Sequence, residues 1–296
     1  MNNILLSVLH GLVLGGAYGL IAMGLSVIFG VVRIINFAHG SMLMASAFAY
    51  YELFTRFEID PFLGMILVVP VAFVIGFFLQ RVIIRPLLLR EHASVQEPTS
   101  VMLFTIGLDY AIANLFLMIY TARNRTIASW SYKNYLRLFN GAFVTQWSRV
   151  ISFLACFAVA FILWFIINKT ELGKRIRAVS QNRDAAALCG VDVHTTYGIA
   201  FGLGTAALAV AGACMASFYL VFPDVGNIFG TKSFMIVVLG GLGSIPGAIV
   251  GGLIFGLVES VGAQFITTTM ASILSFALFL IVLIVKPDGL MSKKRK

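Results

Sequence analysis

The feature that most constrains this chain is a series of long apolar stretches that recurs along its whole length. The first covers residues 4–30, and comparable stretches cover 62–80, 100–120, 150–168, 195–221 and 270–285. At ~1.5 Å per residue, a helix of about twenty such residues crosses a hydrocarbon layer of ~30 Å. Hydrophobic residues make up 60% of the chain and charged residues 11%, and no water-soluble fold of this size could cover so much apolar surface. The sequence therefore predicts an all-α polytopic membrane protein.

Three further apolar stretches are shorter or interrupted, and they decide the number of crossings. One follows Asn36 and His39 and ends near Tyr51, and another follows the glycine-rich segment as a helix over 248–263. Between them, Ser233–Gly240 is too short to cross comfortably alone and runs into Gly240, Gly241, Gly243 and Gly247. Glycine-rich breaks at membrane depth persist only where they are buried in protein or face water. We expect eight or nine spans in one domain over 1–296, and favour nine, with 233–245 crossing rather than re-entrant.

The basic residues are clustered, and their distribution predicts orientation. The net charge is +9, and three clusters lie between or after apolar stretches: Arg81, Arg85 and Arg90; Lys169, Lys174, Arg175, Arg177 and Arg183; and Lys293–Lys296. Clusters in short loops beside apolar spans are the positive-inside signal of cytoplasmic loops, not a sign of nucleic-acid binding. This orientation puts a loop of about residues 171–195 (the coupling loop) and the C-terminus in the cytoplasm. With nine spans, the N-terminus and a loop of residues 121–147 (the 121–147 loop) lie outside.

The first span carries small residues along one face. Gly11, Gly15, Gly19 and Gly30, with Ala22 and Ser26 between them, are spaced by three or four residues. At 100° per residue they fall within an arc of roughly 100°. Small faces let membrane helices approach closely. We therefore expect this helix to pack in the middle of the bundle, and part of its face could also line a pathway.

Polar residues inside apolar spans are costly in lipid, so they are the first candidates for function. The residues that could line a transport pathway are Tyr18, Ser26, Asn36, His39 and Asp109. Alternative roles stay open: Asn36 capping the second helix, His39 satisfying a neighbouring carbonyl, and Asp109 acting as a buried hydrogen-bond partner or interface anchor. Glu259 and Gln264 are expected at the solvated outer end of their helix.

The sequence offers no catalytic or metal-binding constellation. Four histidines and three cysteines are scattered without metal-ligand or triad spacing. The glycine-rich run Gly240–Gly247 lacks the Gly-Lys-Ser/Thr ending of a phosphate-binding loop. We expect no enzyme activity, no metal and no cofactor in this chain.

Three segments resemble the permease family of bacterial ABC importers for branched-chain amino acids. They are GLVLGGAYGLIAMGLSVIFGVVRIINFAHGSMLM, the Asp184-Ala185-Ala186 triplet followed after three residues by Gly190, and PDVGNIFGTKSFMIVVLGGLGSIPGAIVGGLIFGLVES. They occur in the family's order and cover about a third of the chain. Two departures are visible: Asp184 stands where the wider ABC permease pattern has Glu, and Ile199–Gly202 replaces its Ile-x-Leu-Pro. The second departure makes the coupling motif by itself only moderately specific.

The resemblance implies a role for the coupling loop and a set of partners. The residues expected to dock on an ATPase are Arg177, Arg183, Asp184, Ala185, Ala186 and Gly190, with small alanines entering a groove and Gly190 ending the helix at positive φ. The implied partners are a second homologous permease, two cytoplasmic ATPase subunits that use ATP, a periplasmic substrate-binding protein and lipid. The implied location is the bacterial inner membrane.

The 121–147 loop carries four cations, Arg123, Arg125, Lys133 and Arg137, with no acidic residue between Asp109 and Glu171. If the loop lies outside, these charges conflict with the positive-inside tendency. We interpret them as a docking surface for acidic residues of the binding protein, with contact to lipid headgroups as the alternative.

Other functions remain as rivals at this stage. Permeases for urea or short amides are close relatives, and the chain alone does not separate them. An ion-coupled secondary transporter with broken helices would show an inverted repeat, which is not visible, and a passive channel would need no coupling loop.

Overall fold

The computed structural model of the chain describes residues 2–90, 99–138 and 143–291. Within these ranges nine helices of sixteen residues or more follow one another: α1 (Asn2–Val32), α2 (His39–Phe57), α3 (Pro61–Leu79), α5 (Thr99–Tyr120), α7 (Trp147–Lys169), α10 (Val193–Phe218), α11 (Val225–Gly240), α12 (Ile245–Gly262) and α13 (Thr268–Val285). Shorter helices lie between them: α4 (Arg85–Arg90), α6 (Trp130–Lys133), α8 (Glu171–Gln181) and α9 (Arg183–Leu188). A π-helical turn (Gln80–Ile84) joins α3 to α4, and β1 (Tyr135–Leu138) pairs antiparallel with β2 (Phe143–Gln146).

The prediction of an all-α polytopic membrane protein is confirmed. In the described part of the chain, seven stretches are long and apolar enough to cross a membrane, namely Ile4–Val32, Pro61–Leu89, Thr99–Tyr120, Trp147–Lys169, Val193–Phe218, Ile245–Phe265 and Thr268–Val285. The other two long helices are α2, which carries Glu52 and Arg56, and α11, which has only 16 residues.

Side chains that cap helix starts explain where several of these helices begin. The first free N–H groups of a helix need acceptors, and Asp, Asn, Ser and Thr supply them. At six helices such a side chain accepts a hydrogen bond from a backbone N–H of the first turn. The accepting residues are Asp60 (α3), Thr170 (α8), Asn182 (α9), Asp192 (α10), Ser244 (α12) and Thr267 (α13). At Asp192, hydrogen bonds from Thr195 hold the pKa of the carboxyl below its usual value.

Two helices form the centre of the bundle. Most residues of the apolar windows of α1 and α10 are buried, at 78% and 83%, against 11% for α3 and 6% for α5. Apolar side chains on α3 and α5 therefore form the outer surface of the chain, as lipid-facing or partner-facing helices do. The buried core runs through α1, α2, α7, α10 and α11.

The small face of α1 lies against α12, and the two helices run antiparallel. A Cβ at Gly11 would lie 3.0 Å from the Gly256 carbonyl oxygen, and one at Gly15 would lie 2.8 Å from that of Gly252. Further along α1, a Cβ at Gly30 would lie 3.2 Å from the Cα of Gly243. The two backbones are therefore in direct contact along most of α12, and no side chain fits between them.

The two ends of the bundle can be told apart by their contacts. At one end Arg33 donates from Nη2 to the Ser180 carbonyl at 3.0 Å, and the Met291 N–H donates to the Gly240 carbonyl at 3.1 Å. We call this the coupling end because α8 and α9 belong to it. At the opposite end the Ser7 hydroxyl donates to Gln264 Oε1 at 3.1 Å.

The path of α11 differs from the sequence interpretation. That helix was expected to be an apolar piece starting at Ser233, but it starts at Val225 and includes Lys232. The charged side chain does not end the helix because it is paired with Glu259. Running alongside α1, α11 ends at the coupling end, so the described long helices alternate in direction. The first and last described residues therefore lie at opposite ends of the bundle, and the number of crossings stays a prediction.

The described residues of the 121–147 loop form secondary structure rather than a plain polar loop. They include α6 and the paired strands β1 and β2, and Arg125 pairs with Val221 through two backbone hydrogen bonds of 2.9 and 2.8 Å. Trp130 and Tyr135 are exposed, as aromatic residues at a membrane interface are.

Candidate pathway and coupling loop

The break between α1 and α2 is largely buried, although Arg33 at its start is exposed. Residues 33–38 leave α1 and turn back into the bundle, and Asn36 and His39 are both 0% exposed. The Asn36 side-chain oxygen accepts the Ala38 N–H at 3.2 Å, just before α2 begins at His39. Asn36 therefore holds the turn that precedes the helix, while α2 itself has no side-chain cap.

His39 is directed at the backbone of α1. Its Nε2 lies 2.9 Å from the Ile21 carbonyl, which can only accept, so Nε2 carries the hydrogen. The role foreseen as the alternative for His39, satisfying a carbonyl, is therefore what the structure shows. Among the described residues, His39 Nδ1 and the buried Ser26 hydroxyl have no hydrogen-bond partner.

Backbone contacts lock this break against α11. A Cβ at Gly40 would collide with the Gly226 carbonyl oxygen, and one at Gly226 would lie 2.6 Å from that of Gly40. Phe37 lies 5.4 Å from Phe234, ring centre to ring centre. The broken segment of α1–α2 and the start of α11 are therefore one packing unit.

The most strongly charged interior feature involves Tyr18 and two residues that were not proposed as site residues. Lys232 Nζ lies 2.6 Å from Glu259 Oε1 and donates to the Tyr18 hydroxyl at 2.9 Å. Tyr18 donates to Glu259 Oε2 at 2.9 Å, and Ser272 donates to Glu259 Oε1 at 2.8 Å. We call Tyr18, Lys232, Glu259 and Ser272 the Lys232 cluster; it joins α1, α11, α12 and α13.

The expectation of a solvated Glu259 is wrong. The Glu259 side chain is 16% exposed and that of Lys232 is 17% exposed. Gln264, which lies just beyond the end of α12, is exposed. Helix position alone suggested the outer end, but α1, α11 and α13 close over the last turn of α12. One signal in the sequence could have predicted this ion pair: Lys232 and Glu259 have opposite charges, and each lies within an apolar run.

Asp109 lies apart from this cluster. It is partly exposed on α5, a helix that packs mainly against α2 at the periphery of the bundle. The structure therefore does not bring Asp109 together with Tyr18, Ser26, Asn36 or His39.

The coupling loop forms two helices, α8 and α9, with Asn182 between them. Asn182 Oδ1 accepts the N–H groups of Asp184 and Ala185, each at 3.0 Å. At the other end of α9, Gly190 has φ 82°, in the left-handed region predicted for it. The Gly190 N–H bonds to the Ala187 carbonyl at 2.9 Å and the Val191 N–H to that of Ala186 at 3.0 Å, which is a Schellman ending.

The docking hypothesis required Ala186 to be exposed on α9, and the structure buries it. Ala186 is 5% exposed and packs inward with Ile176, Val179 and Val193, whereas Asp184 and Ala185 are exposed. Leu188, at the last position of α9, is 91% exposed. The exposed surface of α9 therefore includes Asp184, Ala185 and Leu188, whereas Ala186 anchors α9 to its own chain.

The two arginines of the coupling loop that were expected to dock on an ATPase, Arg177 and Arg183, differ in role. Arg177 donates from Nη1 to the Ile167 carbonyl and so ties α8 to the end of α7. Arg183 is exposed, and its Nε lies 3.4 Å from Asp184 Oδ1.

The cations of the 121–147 loop are not equivalent. Arg125 is half-buried: it donates to the Tyr120 carbonyl, and its guanidinium lies 5.2–5.9 Å from the ring centres of Phe48, Tyr51 and Tyr120. Arg123 and Lys133 are exposed, and Arg137 lies on β1 opposite Val144. Arg125 is therefore a packing residue, since cation–π contacts and a backbone bond hold it.

Comparison with known proteins assigns the chain to a family. Residues 7–283 match the family model described as "Branched-chain amino acid transport system / permease component". The high-affinity branched-chain amino acid permease protein LivH of Escherichia coli is 29% identical, over 96% of this chain and 94% of LivH. BraD of Pseudomonas aeruginosa is also 29% identical with the same coverage, and a probable LivH of Methanocaldococcus jannaschii is 25% identical over 92% of this chain and 87% of its own length. No solved structure matches the chain. From its helical architecture and a match that runs from α1 to α13, the chain belongs to the family of branched-chain amino acid transport system permease components.

Proposed function

We propose that this chain is the inner-membrane permease subunit of a binding-protein-dependent ABC importer for branched-chain or related apolar amino acids. A second homologous permease completes the pathway, two cytoplasmic ATPase subunits supply the energy, and a periplasmic binding protein delivers the substrate. No phosphate-binding loop occurs in the sequence, so ATP is hydrolysed in the partner subunits.

One observation carries the substrate class. LivH and BraD, named for high-affinity branched-chain amino acid transport, match the chain across 96% of its length. That coverage includes the broken α1–α2 segment, α11 and α12, which line the interior of the bundle.

The coupling loop supports the ATP-driven mechanism. Asn182 caps the start of α9, the turn at Gly190 ends it, and the buried Ala186 packs it against the rest of the chain. A short helix fixed at three points presents Leu188 and Ala185 as a rigid apolar tip. Such a tip transmits the motion of an ATPase groove to α10, which contacts α9, and through α8 to α7.

The distribution of basic residues supports a cytoplasmic coupling end. Arg33, Arg81, Arg85, Lys286 and the cations of the coupling loop all lie at this end. The positive-inside rule favours the cytoplasm for this end, and this supports a cytoplasmic C-terminus with the N-terminus and the 121–147 loop in the periplasm.

The test is transport by the reconstituted complex. Proteoliposomes that contain this chain with its partner subunits should take up leucine, isoleucine or valine. Uptake should require ATP in the lumen, on the side of the ATPase subunits, and loaded binding protein outside. Uptake of urea or a short amide in place of amino acids would overturn the substrate class. Uptake driven by an ion gradient without ATP would overturn the mechanism.

A further inference from the structure

The Lys232 cluster is the strongest interior feature that the proposed function leaves unexplained. Its two charges lie on α11 and α12, in the interior of a chain with only 11% charged residues. Charged groups within membrane spans are rare, and substrate and ion pathways are among the functions that they mark. A buried ion pair is also weak evidence for stability, because desolvation offsets the attraction between the charges.

We infer that the Lys232–Glu259 pair opens to bind the charged head group of an amino acid on the transport pathway. In the bound state the substrate carboxylate takes the place of Glu259 beside Lys232. The substrate ammonium takes the place of Lys232 beside Glu259. The inference rests on the proposed function, since it assumes that amino acids pass through this chain.

The chemistry of the two partners is matched. An amino acid carries one ammonium and one carboxylate on the same carbon, and the closed pair holds the same two groups 2.6 Å apart. When each protein charge exchanges its partner for the opposite charge of the substrate, one ion pair becomes two and no charge is left unpaired. A pathway that had to strip water from a zwitterion without such partners would face a large barrier.

Tyr18 and Ser272 keep Glu259 in place during this exchange. Both hydroxyls donate to the Glu259 carboxylate, at 2.9 and 2.8 Å, so it retains two hydrogen bonds when Lys232 leaves. These bonds hold the carboxylate on α12 while the substrate ammonium approaches.

Aromatic rings form the remaining wall. Lys232 Nζ lies 5.0 Å from the centre of the Tyr18 ring and 6.0 Å from that of Phe229, and Tyr219 packs edge-on against Phe229 at 5.1 Å. Ring faces attract an ammonium and also offer apolar surface to a branched side chain. Tyr219 is 37% exposed, so this wall continues from the cluster to the surface of the chain.

A neutral double variant separates a substrate site from a structural ion pair. Lys232→Met with Glu259→Gln removes both charges and keeps side chains of similar length. The amide oxygen can accept from one of the Tyr18 and Ser272 hydroxyls, and the amide NH2 can donate to the other. Replacing both members of a buried pair is usually neutral for folding. The complex should therefore assemble, as judged by co-elution with its partner subunits. Binding-protein-dependent leucine uptake should fall roughly tenfold to a hundredfold, the effect of losing charge-assisted hydrogen bonds.

The loss should appear in the maximal uptake rate, at saturating loaded binding protein. The concentration of binding protein at half-maximal rate should not rise, because delivery precedes this site. The matched control is Arg56→Met with Glu52→Gln, which removes an ion pair of the same 2.6 Å length whose arginine is 72% exposed. This control should transport like the unmodified complex.

The outcomes distinguish the inference from the proposed function. An unmodified complex that takes up no amino acid overturns the proposed function. An active unmodified complex with an equally active double variant overturns only the inference. If the neutral variant does not assemble, Lys232→Glu with Glu259→Lys restores the ion pair with its charges exchanged. Assembly without uptake then supports the site, and full uptake by this exchanged pair refutes it.

Discussion

Adding a single methyl group at Gly15 should separate α1 from α12. A Cβ at this position would lie 2.8 Å from both the carbonyl oxygen of Gly252 and the Cα of Leu253. That is roughly 0.7 Å inside the optimum of about 3.5–4.0 Å between such atoms. Both opposing atoms belong to backbone, so neither can rotate away, and the two helices must move apart.

The neighbouring Gly16 is a matched control on the same turn of the same helix. A Cβ there would lie 3.7 Å from that of Cys156, which is ordinary contact. Gly→Ala in a helix interior stabilises by about 0.5–1 kcal/mol, and this gain is common to both variants. The difference between Gly15→Ala and Gly16→Ala is therefore the overpacking cost alone, ~1–3 kcal/mol.

The two variants should be compared by unfolding in mixed micelles, with tryptophan fluorescence reporting the fraction unfolded against the proportion of denaturing detergent. Gly15→Ala should unfold earlier than the unmodified chain or at the same point, and Gly16→Ala later. If both variants unfold together, the backbone contact between α1 and α12 is not what the structure shows, and the reasoning fails.

Three further predictions follow from the surfaces of the chain. Leu188→Asp should abolish ATP-driven uptake while the subunit still inserts, because it places a charge on the exposed tip; Ala186→Glu should instead lower the yield of folded protein, because that side chain faces its own core. Reversing Arg123 and Lys133 to Glu should raise the concentration of loaded binding protein needed for half-maximal uptake and reduce its dependence on salt, with basal ATP hydrolysis unchanged; an unaltered concentration curve would leave lipid contact as their role. A membrane-impermeant maleimide added to right-side-out vesicles should label an Arg123→Cys variant and spare the exposed native Cys189; labelling of Cys189 alone would reverse the assigned orientation.

The sequence was sufficient wherever a property depends on one residue type or one helical period. Long apolar runs predicted the membrane helices, because hydrocarbon admits few other structures. Gly190 predicted a positive φ, since a side chain there would be strained. The small face of α1 predicted close packing but not the partner helix, because spacing along one helix carries no information about a second.

Only the tertiary structure decided which charges meet and which faces are covered. Lys232 and Glu259 are 27 positions apart, so the sequence does not pair them, and the position of Glu259 in its helix wrongly predicted a solvated side chain. Ala186 and Leu188 sit on the same six-residue helix, yet one is buried and the other exposed because α8 and α10 cover a single side of α9. Arg125 has the same charge as Arg123 but lies against three aromatic rings contributed by α2 and α5. The sequence by itself determined that this chain is a bundle of membrane helices, because lipid selects each apolar helix independently of the others. The tertiary structure determined the interior of the bundle, because charges and backbones from distant parts of the sequence come into contact only after the helices have assembled.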